Sequence, residues 1–504
     1  MNSLWTDSVP KLVESFPSLE EDISCDVCII GGGITGISCA YYLSKHGLKV
    51  VVLEKDNLSY QTTGHTTAKI TSQHGLFYHY LMQSYDKSFA KSYLEANEQA
   101  IEKIQKIIEE NHISCDFEKT DAYVYTNDPS QVEKIKQEVE CMHQLDFPAE
   151  FHKEIPLPVS GILGAIRFPN QAKFHVRKYL EGLVSTCLQN GVSFYEHTKV
   201  TDTKNEKQEC ITTTKEHSIH SRYTILATKY PFLTVPGFYF LKMYQSTSYV
   251  VAVETNKTLF PGMYITASEP TLSFRTAKWK QKDILLIGGS DHKTGANIDL
   301  GHAYTSLEEI AKSIYPDSNI LYRWSTEDCI TLDKIPYIGP FSRMTPNLFV
   351  ATGYNKWGMS SSNVAATILC DMILGNENPY QNVFLSTRFH PVKNYQETGN
   401  MLKEATDSIL LKKLKIEKQT LSSIQNGEGK IIEIESKKIG VYKDEEGILH
   451  AVKPICSHLG CELTFNNLAK TWDCPCHGSI YDYEGHCIYG PSVQDIPQIS
   501  LEEE

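Results

Sequence analysis

A glycine-rich turn between a short apolar strand and a helix is the feature that most constrains how this chain can fold. Residues 27–30 are apolar and largely β-branched, which predicts a buried strand, and the sequence GGGITG follows at once. Residues 34–46 have helical spacing, with Gly47 as a stop, and residues 49–53 predict a second buried strand. Together these segments form a complete β-α-β unit, so we expect an α/β domain here.

The glycine spacing in this turn suits a bound dinucleotide. Gly31 permits the tight turn, Gly33 lets the backbone approach a pyrophosphate, and Gly36 allows close packing of helix and strand. The helix N-terminus offers free N–H groups and partial positive charge to the phosphates. Glu54 follows Gly36 by 18 residues, where an acid bonds a ribose hydroxyl. We find no second motif of this kind downstream, which predicts one dinucleotide. A glycine turn without a ligand is the weaker alternative.

The most specific pattern in the chain is a set of cysteines and histidines near its C-terminal end. Cys456 and His458 form a Cys-x-His pair, and Cys474 and His477 form a Cys-x-x-His pair 15 residues further on. Two thiolates and two imidazoles on two loops match the ligand set of a Rieske [2Fe–2S] cluster. A zinc finger uses the same residue types but pairs Cys with Cys and His with His, so zinc is the weaker alternative.

Composition and charge narrow the range of partners. The chain has 504 residues and a net charge of −13, which disfavours nonspecific binding to nucleic acid. Mean hydropathy is −0.30 and no apolar run reaches about 18 residues, so we expect no membrane span. Residues 1–22 lack the basic start and apolar stretch of a secretion signal, and we therefore expect a cytoplasmic protein.

Periodicity outlines the rest of the chain. Helical patterns occur at residues 89–111, 129–144, 175–190 and 363–374, and alternating runs such as 248–253 and 284–287 predict strands of a mixed sheet. Residues 391–418 are expected to form a partly helical connector. From residue 421 onward, short strands alternate with glycine turns, as in a small all-β domain.

Four segments resemble the D-amino-acid-oxidase-type flavoprotein family across roughly residues 24–390. They read DVCIIGGGITGISCAYYLSKHGLKVVVLEKD, YTILAT, STEDCITLDKIPYIGP and FVATGYNKWGMSSSNVAATILCDMILG. The resemblance implies FAD as the dinucleotide, with Gly353, Gly358 and Met359 as flavin contacts. A strand-to-helix turn without flavin contact is the plainer reading of those three residues.

The resemblance also implies a division of the chain into domains. Residues 1–390 form the FAD-dependent oxidoreductase. Its FAD-binding part covers about 24–75, 170–235 and 325–390, and its substrate part about 76–169 and 236–324. A linker at 391–418 leads to a Rieske domain at 419–504. The expected fold class is therefore a Rossmann-like FAD-binding domain with a mixed-sheet substrate domain, plus a small all-β Rieske domain.

Three further residues are candidates on the flavin and substrate side. His65 lies in QTTGHTTAK, where the family brings the chain toward the flavin, and a noncovalent contact is favoured over the covalent bond found in some relatives. Arg275 suits a substrate carboxylate, although a surface ion pair is an equal alternative. His292 is a second catalytic candidate, with a hydrogen-bonded structural role as its alternative.

The cluster segment resembles the Rieske proteins of cytochrome bc-type complexes from about residue 421 to 499. That resemblance implies a disulfide between Cys461 and Cys476 that ties the two loops together. It also implies that the hydroxyls of Ser479 and Tyr481 bond the cluster sulfur and a cysteine ligand, which raises the cluster potential. Respiratory Rieske proteins carry an N-terminal membrane anchor, whereas a flavoprotein stands in its place here. Membership of a quinol-oxidising complex is therefore in doubt.

The two cofactors together suggest a function. A flavin takes two electrons as a hydride and a Rieske cluster carries one at a time, so the pair converts hydride chemistry into single-electron transfer. We expect dehydrogenation of a small molecule, an amine or amino acid by family resemblance, with electrons passed to a separate acceptor. The rival classes are a reductase in which the cluster feeds the flavin from an electron donor, and an electron-transfer or redox-sensing module. A Rieske oxygenase is disfavoured because no 2-His-1-carboxylate set is evident.

Overall fold

A computed structural model of the chain describes residues 2–11, 15–206, 208–280, 282–296, 300–388, 421–434 and 437–501. The predicted connector, residues 391–418, lies outside the described residues. The α-helices of the described part are α1 (Leu4–Ser8), α2 (Ile34–Ser44), α3 (Tyr78–Ser84), α4 (Lys87–Glu110), α5 (Pro129–Gln144), α6 (Val176–Gln189), α7 (Ala303–Ile314), α8 (Gly358–Leu374) and α9 (Gln381–Phe384).

The strands of the described part form four sheets. In chain order they are β1 (Ile23–Ile30), β2 (Val50–Leu53), β3 (Lys69–Ile70), β4 (Glu118–Thr126), β5 (Glu150–His152), β6 (Gly164–Lys173), β7 (Ser193–Tyr195), β8 (Asp202–Glu206), β9 (Glu209–Thr213), β10 (Ser218–Leu226), β11 (Met243–Glu254), β12 (Met263–Thr266), β13 (Ser273–Trp279), β14 (Lys282–Lys293), β15 (Asn319–Thr331), β16 (Tyr337–Pro340), β17 (Leu348–Thr352), β18 (Glu428–Ile434), β19 (Lys437–Lys443), β20 (Leu449–Val452), β21 (Thr464–Asn466), β22 (Thr471–Asp473), β23 (Ile480–Asp482) and β24 (Cys487–Tyr489).

The predicted helices are confirmed, with one difference in length. α5 spans the predicted residues, and α4 and α6 begin and end close to the predicted ones. α8 begins at Gly358 rather than at residue 363, because its first turn is buried and packing overrides the low helix propensity of its serines. α1 was not predicted; its Leu4 and Trp5 are buried in the main core.

The first sheet has the strand order β16-β17-β10-β1-β2-β7, with the β8–β9 hairpin attached to β10. β1 pairs in parallel with both β2 and β10. Val50 and Val52 enter one hydrophobic core, and Val51 and Leu53 enter the other. Because β2 is buried on both faces, its sequence is a continuous β-branched run rather than an alternating one. α2 packs against α6 and α8 on one side of this sheet.

The second sheet has the order β15-β11-β14-β13-β12-β4-β6-β3, with β5 beside β6. Most pairs are antiparallel, whereas β4 and β12 are parallel, so the sheet is mixed as expected. β11 and β14 are longer than the predicted runs 248–253 and 284–287. Gln245, among the extra residues of β11, contacts the C-terminal domain.

The C-terminal domain consists of two small antiparallel sheets, β18-β19-β20 and β21-β22-β23-β24. One cluster loop joins β20 to β21 and the other joins β22 to β23. The expected fold class, an α/β flavoprotein fold with a mixed second sheet and a small all-β domain, is confirmed. In the part of the chain that the structure describes, no helix combines the length and apolar character needed to span a bilayer.

Candidate functional site

The glycine turn after β1 opens a cavity of about 360 Å³ between the two large sheets. Gly31 and Gly33 line it. A Cβ atom at Gly31 would lie 2.6 Å from the carbonyl oxygen of Ala227, and one at Gly36 would lie 1.9 Å from the carbonyl oxygen of Gly31. The N-cap residue of α2, Gly33, makes no side-chain cap. The turn can therefore exist only with these glycines, and it leaves the helix N-terminus open to an anion.

Glu54 lies at the end of β2, where it lines the same cavity. Its Oε2 accepts a hydrogen bond from the N–H of Gly32 at 2.8 Å, and its Oε1 accepts one from the N–H of Asp56 at 3.0 Å. Burial raises the pKa of this carboxyl. These bonds hold the acid beside the glycine turn, in the position expected for a ribose ligand.

The turn between β17 and α8 forms the opposite wall. Gly353, Gly358 and Met359, the flavin contacts implied by the family resemblance, all line the cavity, and their contact with flavin stays a prediction. Gly353 has φ of 72°, and a Cβ there would lie 2.2 Å from Cγ2 of Thr331. The Tyr354 hydroxyl lies 3.0 Å from the Thr35 hydroxyl, which links this turn to α2. Segments far apart in the sequence therefore meet around one cavity.

The predicted residues His65, Arg275 and His292 lie near the cavity but not among its lining residues. His65 is buried at the end of a short 3₁₀ helix, and its Nδ1 lies 2.9 Å from the Gln61 carbonyl oxygen. The Arg275 guanidinium is buried and donates to backbone carbonyls, including those of Thr67 at 2.8 Å and Ala68 at 2.6 Å. His292 stacks on Tyr249 with ring centroids 5.8 Å apart.

Five lysines that the sequence did not single out line the cavity instead, and two of them, Lys69 and Lys229, make well-defined contacts. Lys69 donates to the carbonyl oxygen of Tyr264 at 2.8 Å and to Oγ of Ser273 at 2.6 Å. Its burial lowers its pKa to about 7. Lys229 places its Nζ 4.1 Å from the ring centroid of Tyr489, a C-terminal residue. No local pattern marks a lysine as buried, so only the assembled sheets reveal these two.

The four predicted cluster ligands lie together on two loops. A hydrogen bond between the Cys456 and Cys474 thiols lowers the pKa of Cys456. The rings of His458 and His477 have centroids 5.1 Å apart. Burial lowers their pKa values, to about 4 for His458 and about 3 for His477, which keeps both imidazoles neutral at pH 7.

Both ligand histidines have a ring nitrogen that is available to bind a metal cluster. Within the described residues, Nδ1 of His458 and Nδ1 of His477 are buried and have no hydrogen-bond partner. A buried nitrogen without a partner is costly unless a ligand satisfies it. Two adjacent thiols and two unpaired imidazole nitrogens are the donor set of a Rieske cluster.

A disulfide and a hydroxyl reinforce these loops. Cys461 and Cys476 are joined by a disulfide, with Cα atoms 6.6 Å apart, as the resemblance implied. The Tyr481 hydroxyl lies 3.3 Å from Sγ of Cys456. Ser479 is fully buried and its Oγ accepts a hydrogen bond from the N–H of Ser492 at 3.1 Å.

The histidine edge of the cluster loops packs against the flavoprotein part. The Gln245 amide nitrogen, on β11, lies 3.1 Å from the carbonyl oxygen of His477 and 2.8 Å from that of Gly478. The Phe240 ring stands edge-on to His477, with centroids 5.5 Å apart. A Cβ at Gly295 would lie 2.5 Å from the backbone nitrogen of Pro475. The two parts therefore touch backbone to backbone.

The fold and the two sites define a flavin-dependent oxidoreductase that carries its own iron–sulfur domain. A family model described as FAD dependent oxidoreductase matches residues 26–372, and one described as Rieske [2Fe-2S] domain matches residues 416–500. The chain therefore belongs to the FAD dependent oxidoreductase family and has a C-terminal Rieske domain. FAD and a [2Fe–2S] cluster are its cofactors. The glycine turn at residues 31–36 fits FAD, and the unpaired Nδ1 atoms of His458 and His477 fit the cluster.

Individual relatives agree with this assignment. The Bacillus subtilis (strain 168) protein YhfW, named as a Rieske 2Fe-2S iron-sulfur protein, is 39% identical over 488 residues, which cover 97% of this chain and 96% of that protein. Glycine oxidase from Geobacillus kaustophilus has a TM-score of 0.62 at 17% identity, covering 73% of this chain and 99% of its own. L-proline dehydrogenase from P. horikoshii has a TM-score of 0.62 at 19% identity, covering 74% and 98%. These two structures share the flavoprotein fold.

Proposed function

We propose that this enzyme oxidises an amine or amino acid at FAD and passes the electrons one at a time through the Rieske cluster to a separate acceptor. The observation that carries this proposal is that one strand, β11, contacts both sites. Gln245 of β11 bonds the cluster loop, and Tyr249 and Val250 of the same strand line the cavity. A shared strand holds the two sites next to each other, as electron transfer between them requires.

FAD, when bound, accepts a hydride from a carbon next to nitrogen or oxygen, and the cluster carries single electrons. The protein's own contribution is to bind the substrate, exclude water and take up a proton. We assign the substrate to the part of the cavity lined by β11, β13 and β14, where Tyr249, Ser273 and Gly288 face it. Val250 and Ile265 supply apolar surface to this part, and Tyr249 and Ser273 supply polar groups, the mixture found in many small-molecule sites.

We assign Lys69 as the residue that accepts a proton from the substrate. An amine substrate arrives as an ammonium ion and must lose a proton before its nitrogen lone pair can help to expel the hydride. Lys69 has a pKa of about 7 because it is buried, so a large fraction is neutral near neutral pH and can accept that proton. The bonds to Tyr264 and Ser273 fix the position of Nζ.

The choice of substrate class is supported by proteins of the same fold. Glycine oxidase and L-proline dehydrogenase are named for amino acids. Arg275, the residue suggested by the sequence for a carboxylate, has no part in this proposal, because its guanidinium already donates to backbone carbonyls. His292 lies behind Tyr249 and remains a candidate for positioning that ring.

Anaerobic mixing of the holoenzyme with glycine, L-proline and a set of primary amines tests the proposal. Flavin absorbance and cluster EPR are recorded together. We expect one of these compounds to bleach the flavin, followed by the rhombic EPR signal of a reduced Cys/His [2Fe–2S] centre. Lys69→Met should slow the bleaching by about 100-fold or more, the usual range for loss of a general base.

His477→Ala provides the matched control. This variant should lose the cluster, so the flavin should still bleach while the EPR signal is absent. A wild-type flavin that no amine or amino acid reduces, but that becomes reduced when electrons enter through the cluster, would contradict the proposal. That result would favour the reductase direction instead.

A further inference from the structure

The cluster domain contributes a segment to the wall of the flavin cavity. Residues 487–493 begin with β24, and six of them line the cavity: Cys487, Ile488, Tyr489, Gly490, Ser492 and Val493. The rest of the lining comes from the flavoprotein part. This segment is therefore the point at which the second domain enters the first cofactor's site.

Basic residues of the flavoprotein part hold the segment in place. Lys55, the residue after Glu54, donates a hydrogen bond to the carbonyl oxygen of Ile488. Nζ of Lys229 lies 4.1 Å from the centroid of the Tyr489 ring. In the described part of the chain, this buried nitrogen has no hydrogen-bond partner, so the ring face is its main protein contact. Burial, with the Glu327 carboxylate nearby, raises the pKa of Tyr489, so its phenol stays neutral.

The lysines also indicate what the segment covers. Lys55, Lys199 and Lys229 all line the cavity. The ammonium groups of Lys55 and Lys229 lie 5.9 Å and 4.1 Å from the Tyr489 ring centroid, and that of Lys55 also lies 3.6 Å from the Asp56 carboxylate. Clustered ammonium groups suit a pyrophosphate, which carries negative charge on several oxygens. The aromatic ring of Tyr489 supplies an apolar surface on the same side.

The same segment is bonded to the cluster loops. The N–H of Ser492 donates to Oγ of Ser479 at 3.1 Å, and the Ser457 and Ser492 hydroxyls lie 2.6 Å apart. Gln245 bonds the carbonyl oxygen of Gly490 at 2.7 Å as well as the cluster loop. The conformation of the segment therefore depends on both the cluster loops and β11.

We propose that residues 487–493 of the cluster domain complete the FAD-binding site, with Tyr489 closing the cavity over the dinucleotide. FAD affinity then depends on a residue of the other domain. Because the segment is also tied to the cluster loops, binding of FAD and ordering of those loops favour each other. Electrons would then move between two cofactors whose binding sites share residues 487–493.

Titration of the full-length, FAD-depleted protein with FAD tests this proposal, with flavin fluorescence as the readout. Tyr489→Ala should raise the dissociation constant by about tenfold, the effect expected when a desolvated cation–π contact and an apolar wall are lost. Tyr489→Phe keeps the ring and should bind FAD nearly as well as wild type. Tyr483→Ala is the matched control, since Tyr483 packs on Tyr442 in the same domain and does not line the cavity.

Cluster EPR is recorded on each variant, because an intact signal shows that the cluster domain is folded. Wild-type affinity in Tyr489→Ala would overturn the proposal. Hydrogen–deuterium exchange on the unmodified protein gives a second, independent test. Added FAD should slow exchange of the amides in residues 487–493, and unchanged exchange there would also overturn it. Neither measurement uses a substrate, so either result is distinguishable from failure of the proposed amine oxidation.

Discussion

The two cofactor sites of this enzyme are built in opposite ways. The cluster ligands all lie within residues 456–477, on two short loops joined by a disulfide. The flavin cavity draws on residues from Ile30 to Val493, contributed by several strands, helix starts and turns. A site made of adjacent residues can be identified from spacing alone, whereas a distributed site depends on how distant segments pack.

This difference has consequences for how each site fails. Damage to a cluster loop is expected to reach residues 487–493 as well, because Ser492 bonds Ser479 and Ser457 of those loops. Damage to the glycine turn is expected to stay within the flavoprotein part, because the atoms that a Cβ at Gly31 or Gly36 would meet belong to that part. Substitutions in each site therefore test whether the two sites are as separate as their construction suggests.

The largest expected effect comes from placing a side chain in the glycine turn at residues 31–36. Gly36→Val would place side-chain atoms on the carbonyl oxygen of Gly31, where even a Cβ would lie at 1.9 Å. We expect complete loss of FAD, measured as the flavin-to-protein ratio after purification. Gly47→Asn is the control, because a Cβ at Gly47 meets no atom within 4 Å and asparagine tolerates the left-handed φ of 72° there better than most residues. The Rieske EPR signal should survive in Gly36→Val; its loss would show that the cluster domain needs the flavin part to fold.

A smaller effect is expected when the disulfide between the two cluster loops is removed. Cys461→Ser keeps all four ligands and breaks the disulfide with Cys476. The cluster should still assemble but should be lost at lower denaturant concentration, since closing such a loop contributes ~2–4 kcal/mol. Loss of cluster absorbance in a urea titration measures this change. Cys487→Ser, a free cysteine in the same domain, should have a smaller effect.

On the flavin side, we expect the rate of flavin reduction to depend on pH. The neutral form of Lys69 is the proton acceptor, and its pKa is lowered to about 7, so the acceptor is lost as pH falls through 7. Flavin reduction at saturating substrate should therefore be slower at pH 6 than at pH 8, by about tenfold. Stopped-flow absorbance measures the rate. In Lys69→Gln, flavin reduction should be slow and its rate should no longer change with pH near 7. If the pH dependence of the rate is unchanged in this variant, another group is responsible for it.

The smallest expected effect concerns the cluster potential. The Tyr481 hydroxyl lies 3.3 Å from Sγ of Cys456, and a hydrogen bond to a ligand sulfur stabilises the reduced cluster. Tyr481→Phe should lower the potential by about 60 mV, equivalent to about 1.4 kcal/mol for one electron. An EPR-monitored redox titration measures it. Tyr483→Phe, which alters a hydroxyl elsewhere in the domain, should leave the potential unchanged.

Several features were set by the sequence because they depend on neighbouring residues. The β-α-β unit from β1 to Glu54 has its turn chemistry and its apolar runs in one continuous stretch. α5 was predicted to the residue because Pro129 follows an Asp N-cap that bonds the Ser130 N–H at 2.9 Å. The cluster ligands are likewise local, and their spacing identifies them before any strand is placed. The disulfide between Cys461 and Cys476 was implied by the resemblance to the Rieske proteins of cytochrome bc-type complexes.

Other features were decided only by the tertiary structure. Lys69, Lys229 and Gln245 are ordinary polar residues in the sequence, and their roles arise because two sheets and a second domain bury them. Arg275 illustrates the reverse case, since its charge suggested a ligand while packing bonds it to the carbonyls of Thr67 and Ala68. Burial and long-range contacts determine what a polar side chain touches, and neither is encoded in local spacing. The chemistry of the two cofactors could therefore be read from the chain, whereas the contact between them exists only in the folded molecule.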